Sequence, residues 1–439
     1  MAGSAHAKPL LRRRPISNQR WHLPAFSRAI GGTKAFRPSH AQRDQPQGRN
    51  PTTAVAHLDH SLEVGGAELA LVRMLQEGVP WKYLLCLPHR APGSPEDVFS
   101  SIDDRCKHRA WVTHPAGTSR AGALGTVGAL TRILFHASQL RLAKRFRAVD
   151  IVHANTSRAA LIAWASVVGS DRLLVIHLRD NVDAEALGPW GYRALRLALS
   201  RADGVIANSR FTLDSASPIL KGSAKRVVVS SPIGLKSPHN ETLVPPTVER
   251  VGILGRLTPW KGQDIAIRAF AAAFSDSQVV LEIAGSAAFS ESIYAQELRS
   301  LCRELRIEDR VRFLGQVDDI WGLIDQWDIC IHASVRPEPL GQTVLQYLAA
   351  CKPTIAAAAG GPLEWITDGV NGLLFEPGDE LSLAENLIRL ATDQGVRQGI
   401  SRTLASERLV PTDQQVLNQY KHFFETLVPD LPDSEAGSP

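Results

Sequence analysis

Three stretches of the chain combine residue types and spacings that could do chemistry. In SVRPEPLGQTVLQYLAAC, residues 334–351, Glu338 stands in a proline-bounded loop, and Gly341, Gln342 and Thr343 lead into a helix expected over Thr343 to Cys351. The first amides of such a helix have no intrahelical partner, and the helix dipole favours an anion such as a phosphate beside them. A carboxylate repels a phosphate, so Glu338 is better matched to a neighbouring hydrogen-bond donor, and a sugar hydroxyl is the obvious one. These residues together predict a sugar attached to a phosphate. In GRLTPWKG, residues 255–262, Arg256 and Lys261 lie five apart across a proline-containing turn. Both would reach a pyrophosphate at a strand end, the arginine as a fork and the lysine as a point charge. Two solvated surface cations are the alternative.

The third stretch, VGGAELALVRML, puts Gly65 and Gly66 just ahead of a helical pattern in which Leu69, Val72 and Leu75 share a face. Such glycines let a ligand approach the backbone at a helix N-terminus, although a tight strand-to-helix turn needs them equally. His177 ends the apolar run LLVIH, with Arg179 and Asp180 just beyond it. A lone histidine there serves either as a structural hydrogen-bonding group or as a group at a ligand-binding strand end.

These residues need a scaffold that brings strand ends together. The runs around Thr53 to Leu58, YLLCLP, DIVHAN, LIAWASVV, RLLVIHL and DGVIANS read as strands, with helices after Gly66, around Ala129 to Phe146 and through Tyr192 to Ser200. After prolines 232, 238, 245 and 246 a second series begins at Arg250 to Leu254 and continues with VVLEIAG, RVRFLGQV and Cys330 to Ser334. Short apolar strands alternating with helices predict parallel sheets covered on both faces, which bind ligands at the carboxyl ends of their strands. With 439 residues, two cores are expected, over 51–235 and 236–410. A last helix, Asp413 to Leu427 within 411–430, is expected to cross back to the first, and the ends 1–50 and 431–439 are expected to be disordered.

Charge is distributed unevenly. Residues 1–50 carry ten Lys and Arg against one acid, residues 51–235 a net +7 and residues 236–439 a net −11. A basic front suggests an anionic partner such as a membrane surface or a phosphorylated acceptor, and no nucleic-acid motif appears. No apolar run reaches the ~18 residues that span a bilayer, and the Arg-rich start lacks the apolar core of a signal peptide. The odd set Cys86, Cys106, Cys302, Cys330 and Cys351, without any C-x-x-C, reads as reduced thiols of a cytoplasmic protein.

The PEPLG segment with its helix, GGPLEWI, NGLLFEPGD and GRLTPWKG resemble the donor-binding core of glycosyltransferase family 4. The resemblance covers nearly all of residues 53–410 and implies the GT-B architecture, an α/β fold of two Rossmann-like domains whose parallel sheets face one another across a cleft. It implies retaining transfer from a nucleoside diphosphate sugar to a hydroxyl acceptor. Glu338 and His177 would orient the sugar, Arg256 and Lys261 would hold the diphosphate, and Gly315 would bind the base through its backbone. Gly65 and Gly66 would line the cleft. The family pattern has a second glutamate where this chain has Gln346, which would take the ribose with one acceptor oxygen in place of two. No D-x-D triplet occurs, so cations and helix amides would stand in for a metal, and no cofactor is expected. The expected setting is peripheral to the inner face of a membrane, with a lipid-linked acceptor in polysaccharide or glycolipid synthesis. A related sugar-phosphate enzyme, such as a phosphorylase or epimerase, and a silent nucleotide-sugar binder are the alternatives.

Overall fold

Runs such as AVAHL, IVHA and GVIA carry few charged groups on either face, which suits strands buried by helices on both sides. The computed structural model describes residues 53–90, 97–113, 123–220, 222–241, 244–286 and 292–428; the expected disordered ends lie outside them. The first half holds strands β1 (Ala54–Leu58), β2 (Lys82–Leu87), β3 (Lys107–Arg109), β4 (Ile151–Ala154), β5 (Leu173–Leu178), β6 (Gly204–Ala207) and β7 (Lys225–Val228). Its helices are α1 (Gly66–Gln76), α2 (Ala123–Leu142), α3 (Lys144–Arg147), α4 (Ala159–Val167), α5 (Ala184–Leu199) and α6 (Arg210–Ala216).

The second half repeats the plan. Its strands are β8 (Arg250–Leu254), β9 (Val280–Ala284), β10 (Val311–Gly315), β11 (Ile329–His332), β12 (Thr354–Ala357) and β13 (Leu373–Phe375). Helices α7 (Gln263–Ala273), α8 (Ser292–Glu304), α9 (Ile320–Asp325), α10 (Gln342–Ala349), α11 (Glu380–Thr392) and α12 (Gln394–Glu407) accompany them, and α13 (Asp413–Leu427) ends the described chain.

All the strand pairs are parallel. The sheet orders are β3-β2-β1-β4-β5-β6-β7 and β10-β9-β8-β11-β12-β13. In each, the order reverses once, between β1 and β4 and between β8 and β11. Loops leaving a pair of strands at such a reversal diverge, and a ligand crevice opens there.

One expected strand is a helix. LIAWASVV lies mostly in α4, which buries Ile162, Ala163 and Val167 against the first sheet. An uninterrupted apolar run has neither the period of a strand nor that of an amphipathic helix, so pattern alone does not separate the two. Topology does, because β4 and β5 are parallel neighbours and need a crossover between them.

The first sheet is covered on both faces. Residues of α2, α3, α4 and α5 pack on one, and α1, Trp81 and α13 on the other. α13 begins with a capping box between Thr412 and Gln415. The Asp413 carboxylate accepts the amides of Ile233, at 2.9 Å, and of Gly234 and Leu235, so the helix is tied to the segment joining the two sheets. Among the described residues no helix is long and apolar enough to cross a membrane.

Candidate active site

At the second reversal, β8 delivers Gly255 and Arg256, and β11 delivers Ser334 and the loop to Glu338. Gly262, at φ 66°, ends the Arg256–Lys261 turn, where a Cβ would meet the Ala333 carbonyl oxygen at 2.0 Å. Only glycine lets the two loops approach this closely. The Glu338 backbone is held in turn by the following GG segment, with the Gly361 amide donating to its carbonyl at 2.8 Å.

Glu338 is 6% exposed and its Oε1 accepts from three directions: Lys261 Nζ, Ser334 Oγ and His332 Nε2, the last at 2.9 Å. Burial pulls its carboxyl up, but Lys261 and His332 together outweigh that and hold it well below the usual carboxylate range. Glu338 is therefore an anion at neutral pH, balanced by Lys261. Lys261 Nζ also lies 4.4 Å from the centroid of the Trp260 ring. Arg256 is exposed beside it, its carbonyl bound by Gln263 Nε2 at 2.9 Å. α10 begins just past the loop at Gly341, whose φ of 73° suits glycine, and the amides of Gln342 and Thr343 open its first turn. Gly315 ends β10, with its carbonyl taking the Gly285 amide at 2.7 Å.

The first reversal is built from Asp59 after β1 and Asn155 after β4. Asp59 Oδ1 accepts the amides of His60 and Ser61, and its Oδ2 takes Asn155 Nδ2 at 2.6 Å. Arg179 donates to the Asn155 carbonyl, to Asn155 Oδ1 and to Ser231 Oγ at 2.7–3.0 Å. Burial, followed by the charge of Asp59, pushes the Glu68 carboxyl up to about 8, so it carries its proton at neutral pH. Asp59, His60 and Glu68 offer ligand atoms within 4.8 Å of one another. Both Asp59 oxygens already accept N–H groups, and with Glu68 carrying its proton the set can donate to and accept from a hydroxyl. Gly66 faces the other half, where a Cβ on it would meet Gln342 Oε1 at 3.0 Å, whereas a Cβ on Gly65 would meet the Glu68 carboxyl of its own helix at 2.4 Å.

The chain matches the family model described as Glycosyl transferases group 1 over residues 238–404 and the model Glycosyltransferase Family 4 over 97–232. The chain belongs to glycosyltransferase family 4. Its GT-B fold is shared with Anabaena HepE, solved with UDP, with UDP and glucose, and with UDP-glucose. HepE is 26% identical, with a TM-score of 0.69, over 85% of this chain and 100% of that one. A D-inositol 3-phosphate glycosyltransferase of Actinosynnema mirum is 27% identical over 46% of this chain and 52% of its own length. An uncharacterized glycosyltransferase of Methanocaldococcus jannaschii is 34% identical over 34% of this chain and 37% of its own length. The matches thus span about a third to a half of these curated relatives.

Within this family 4 chain, His177 is corrected. It is fully buried on the face of β5 turned to α13, sharing a hydrogen bond of 3.2 Å with the Tyr420 hydroxyl. Residues 177 and 179 share one side of the extended chain, and it is Arg179 that stands past the strand end, where ligands approach. Gln346, 4% exposed, donates through Nε2 to the Ile233 carbonyl at 3.3 Å, so only its oxygen is left to accept from a ribose. Gln342 likewise reaches the Pro232 carbonyl at 3.4 Å.

Sequence reasoning missed His332 and Ser334, although two polar residues at the end of the apolar run ICIHAS were a usable sign. It also missed Glu364. Its two carboxylate oxygens take the amides of Arg210, at 2.9 Å, and Phe211, at 2.7 Å, capping α6 from the other half of the molecule, while Ser209 Oγ donates to the Pro339 carbonyl beside it. No local pattern could announce partners more than 150 residues away.

Proposed function

We propose that this protein transfers a sugar from a nucleoside diphosphate sugar to a hydroxyl acceptor with retention of configuration. The observation that carries the reading is the buried Glu338 anion held by Lys261, His332 and Ser334 beside the N-terminus of α10. When a donor enters, its diphosphate gives Lys261 a second anion, and Arg256 and the α10 amides join it. As the bond from the anomeric carbon to the diphosphate oxygen breaks, charge gathers on that oxygen, where these groups stabilise it without reorganising. Glu338 accepts hydrogen bonds from the sugar hydroxyls. The acceptor oxygen forms its bond on the same face, and its proton passes to the departing diphosphate. Gly315 presents backbone groups to the base, and the Gln346 oxygen accepts from the ribose. No step in this sequence calls for a metal or cofactor.

The UDP-bound HepE structures favour a uridine diphosphate sugar as donor. The acceptor hydroxyl is read by the protonated Glu68 and by Asn155 and Arg179 at the opposite strand ends. The net +7 of residues 51–235 supports a lipid-linked acceptor at an anionic membrane face, as in polysaccharide or glycolipid synthesis. Gln346 favours one second reading, a nucleotide-sugar binder without turnover.

Mass-spectrometric detection of free UDP or GDP across common nucleotide sugars tests the choice. Slow donor hydrolysis is expected, abolished about 10²- to 10³-fold by Lys261→Ala, the size of a lost oxyanion donor. Calorimetric binding of a donor with no hydrolysis under any acceptor mixture would favour the binder, and unchanged turnover in Lys261→Ala would remove the site assignment.

A further inference from the structure

Residues 105–149 hold nine lysines and arginines and no acidic residue. α2 and α3 fall within this stretch. α2 buries His136, Ala137 and Leu140 and turns another side to solvent, where Leu130, Leu134, Phe135 and Leu142 are 54%, 51%, 51% and 75% exposed. At about 100° per residue these four side chains fall within about 140° of arc, on a face they share with the exposed Thr131, Ser138 and Arg141. Trp111, 83% exposed, is fastened to the same helix by its amide, which donates to Gln139 Oε1 at 2.9 Å.

Exposed cations surround these side chains: Arg132, Arg141, Lys144, Arg145 and Arg147. Arg141, Arg145 and Arg147 donate to the backbone carbonyls of Val168, Lys107 and Leu142. Among the described residues none of the five is paired with a carboxylate. The crowding is felt nearby, where burial first, and then Arg141 and Arg147, lower the Arg172 pKa. Soluble surfaces mix both signs and scatter their large apolar side chains, and protein interfaces deplete uncompensated charge from their centres. Large exposed apolar side chains set among cations that outnumber the nearby carboxylates instead suit an anionic bilayer, whose acyl boundary takes Leu, Phe and Trp while its phosphates take Arg and Lys.

We propose that the Leu130–Leu142 face of α2, with Trp111, docks on an anionic lipid surface and lies in the headgroup plane. This names the surface for the membrane setting proposed above, yet it stands or falls apart from catalysis, because vesicle binding needs neither donor nor acceptor. The test is flotation of the full-length chain with phosphatidylglycerol–phosphatidylcholine vesicles and with pure phosphatidylcholine, at low and high salt. Binding is expected on the anionic vesicles alone and falls steeply once the Debye length shrinks below ~5 Å. Leu134→Gln with Phe135→Ser should weaken it at least tenfold, and Arg132→Gln with Lys144→Gln several-fold, with unchanged thermal melting and unchanged donor hydrolysis. Residues 1–50 remain in every variant, so equal binding by the variants overturns the proposal by assigning attachment to that basic tail. A wild-type chain that fails to float overturns it, as does a fall in oligomeric state in the Leu134→Gln, Phe135→Ser protein, which would make the face a contact between copies.

Discussion

Each half of the molecule buries a polar cluster on its parallel sheet, and the two clusters are opposites. In the second half Glu338 lies past the end of β11 and remains ionised because Lys261 and His332 outweigh its burial. In the first half His57, His153 and His177 form a row on β1, β4 and β5 beneath α13, each fully buried. Burial lowers the His57 pKa to about 3 and drives those of His153 and His177 well below the ordinary value, so the row is uncharged. Its tautomers can be followed. Trp81 Nε1 donates to His57 Nε2 at 3.1 Å, so His57 donates through Nδ1 to His153 Nδ1 at 2.9 Å, and His153 carries its proton on a buried, unpartnered Nε2. The lesson is one of position. A polar residue past a strand end meets the crevice and can be paired by charge, whereas these three within their strands meet α13 with no charged partner beside them and are held neutral.

The sharpest way to break this comparison is to exchange the fates of the two clusters. Lys261→Met should cost about 10²- to 10³-fold in kcat, or about 2.7–4 kcal/mol. It should also give activity an acid limb, because Glu338 without its lysine titrates closer to the usual carboxylate range. His177→Phe should leave kcat within about threefold while lowering the melting temperature, since it removes the Tyr420 partner from a packed site. Steady-state kinetics and thermal melts of the two proteins decide the matter. A collapse of kcat in a folded His177→Phe protein would return that histidine to the active site.

The second test concerns pH. The three histidines are neutral in the folded state but bind protons near pH 6.5 once unfolded, so the unfolded chain gains protons that the native one does not. Stability from this row is fully present above about pH 7 and declines as pH falls through 6.5, by up to about 1.4 kcal/mol per pH unit for each histidine. Glu68 acts in the other direction. Raised to about 8 when folded, it disfavours folding as pH rises above the ordinary carboxyl value of 4.5. Between pH 4.5 and 6.5 the three histidines outnumber it, so stability should rise with pH, and His177→Phe should reduce that net slope by about a half. Urea melts at several pH values measure it, and an unaltered slope would mean that the imidazole is not held neutral.

How far the sequence disclosed this arrangement differs between the two clusters. The cluster proposed for the donor comes from two short contiguous segments, so Glu338, Gly341 and Gln342, with Arg256 and Lys261, could be picked out from turn residues and helix starts. The polar cluster proposed for the acceptor is assembled from β1, β4 and β5 with Ser231, and its pairing of Asp59, Asn155 and Arg179 depends on strand register. His177 and Arg179 differ by two residues in sequence, the same parity and nearly the same pattern. Both are buried, and only the fold shows that His177 ends beneath α13 while Arg179 is drawn to Asn155 and Ser231 past the strand end. LIAWASVV failed for a related reason, since its composition is equally at home in a covered helix or strand.

A smaller effect probes the contact between the halves. Glu364→Ala removes both acceptors at the start of α6, and losing a cap of this kind costs about 1 kcal/mol. If this contact holds the Pro339 loop in its donor-binding position, donor KM should rise about fivefold with kcat little changed. The same KM in both proteins would reduce Glu364 to a local cap.

The smallest effect is expected at Gln346, where two terms oppose each other. Its amide nitrogen donates to the Ile233 carbonyl at 3.3 Å, a long bond. Gln346→Glu replaces that donor with an acceptor and sets a carboxylate against a carbonyl, costing about 1 kcal/mol of stability. The same carboxylate could accept from both ribose hydroxyls with charge assistance, a gain of about 1–2 kcal/mol in nucleotide binding, partly offset by repulsion from the diphosphate. The net expectation is UDP affinity tighter by about threefold in a slightly less stable protein. Gln346→Ala, which loses the ribose acceptor and the linker tie together, should bind about fivefold more weakly. Calorimetric titrations and melts of the three proteins separate the terms. A change in melting temperature without any change in affinity would make Gln346 a tie to the linker alone, and the ribose would then need another acceptor.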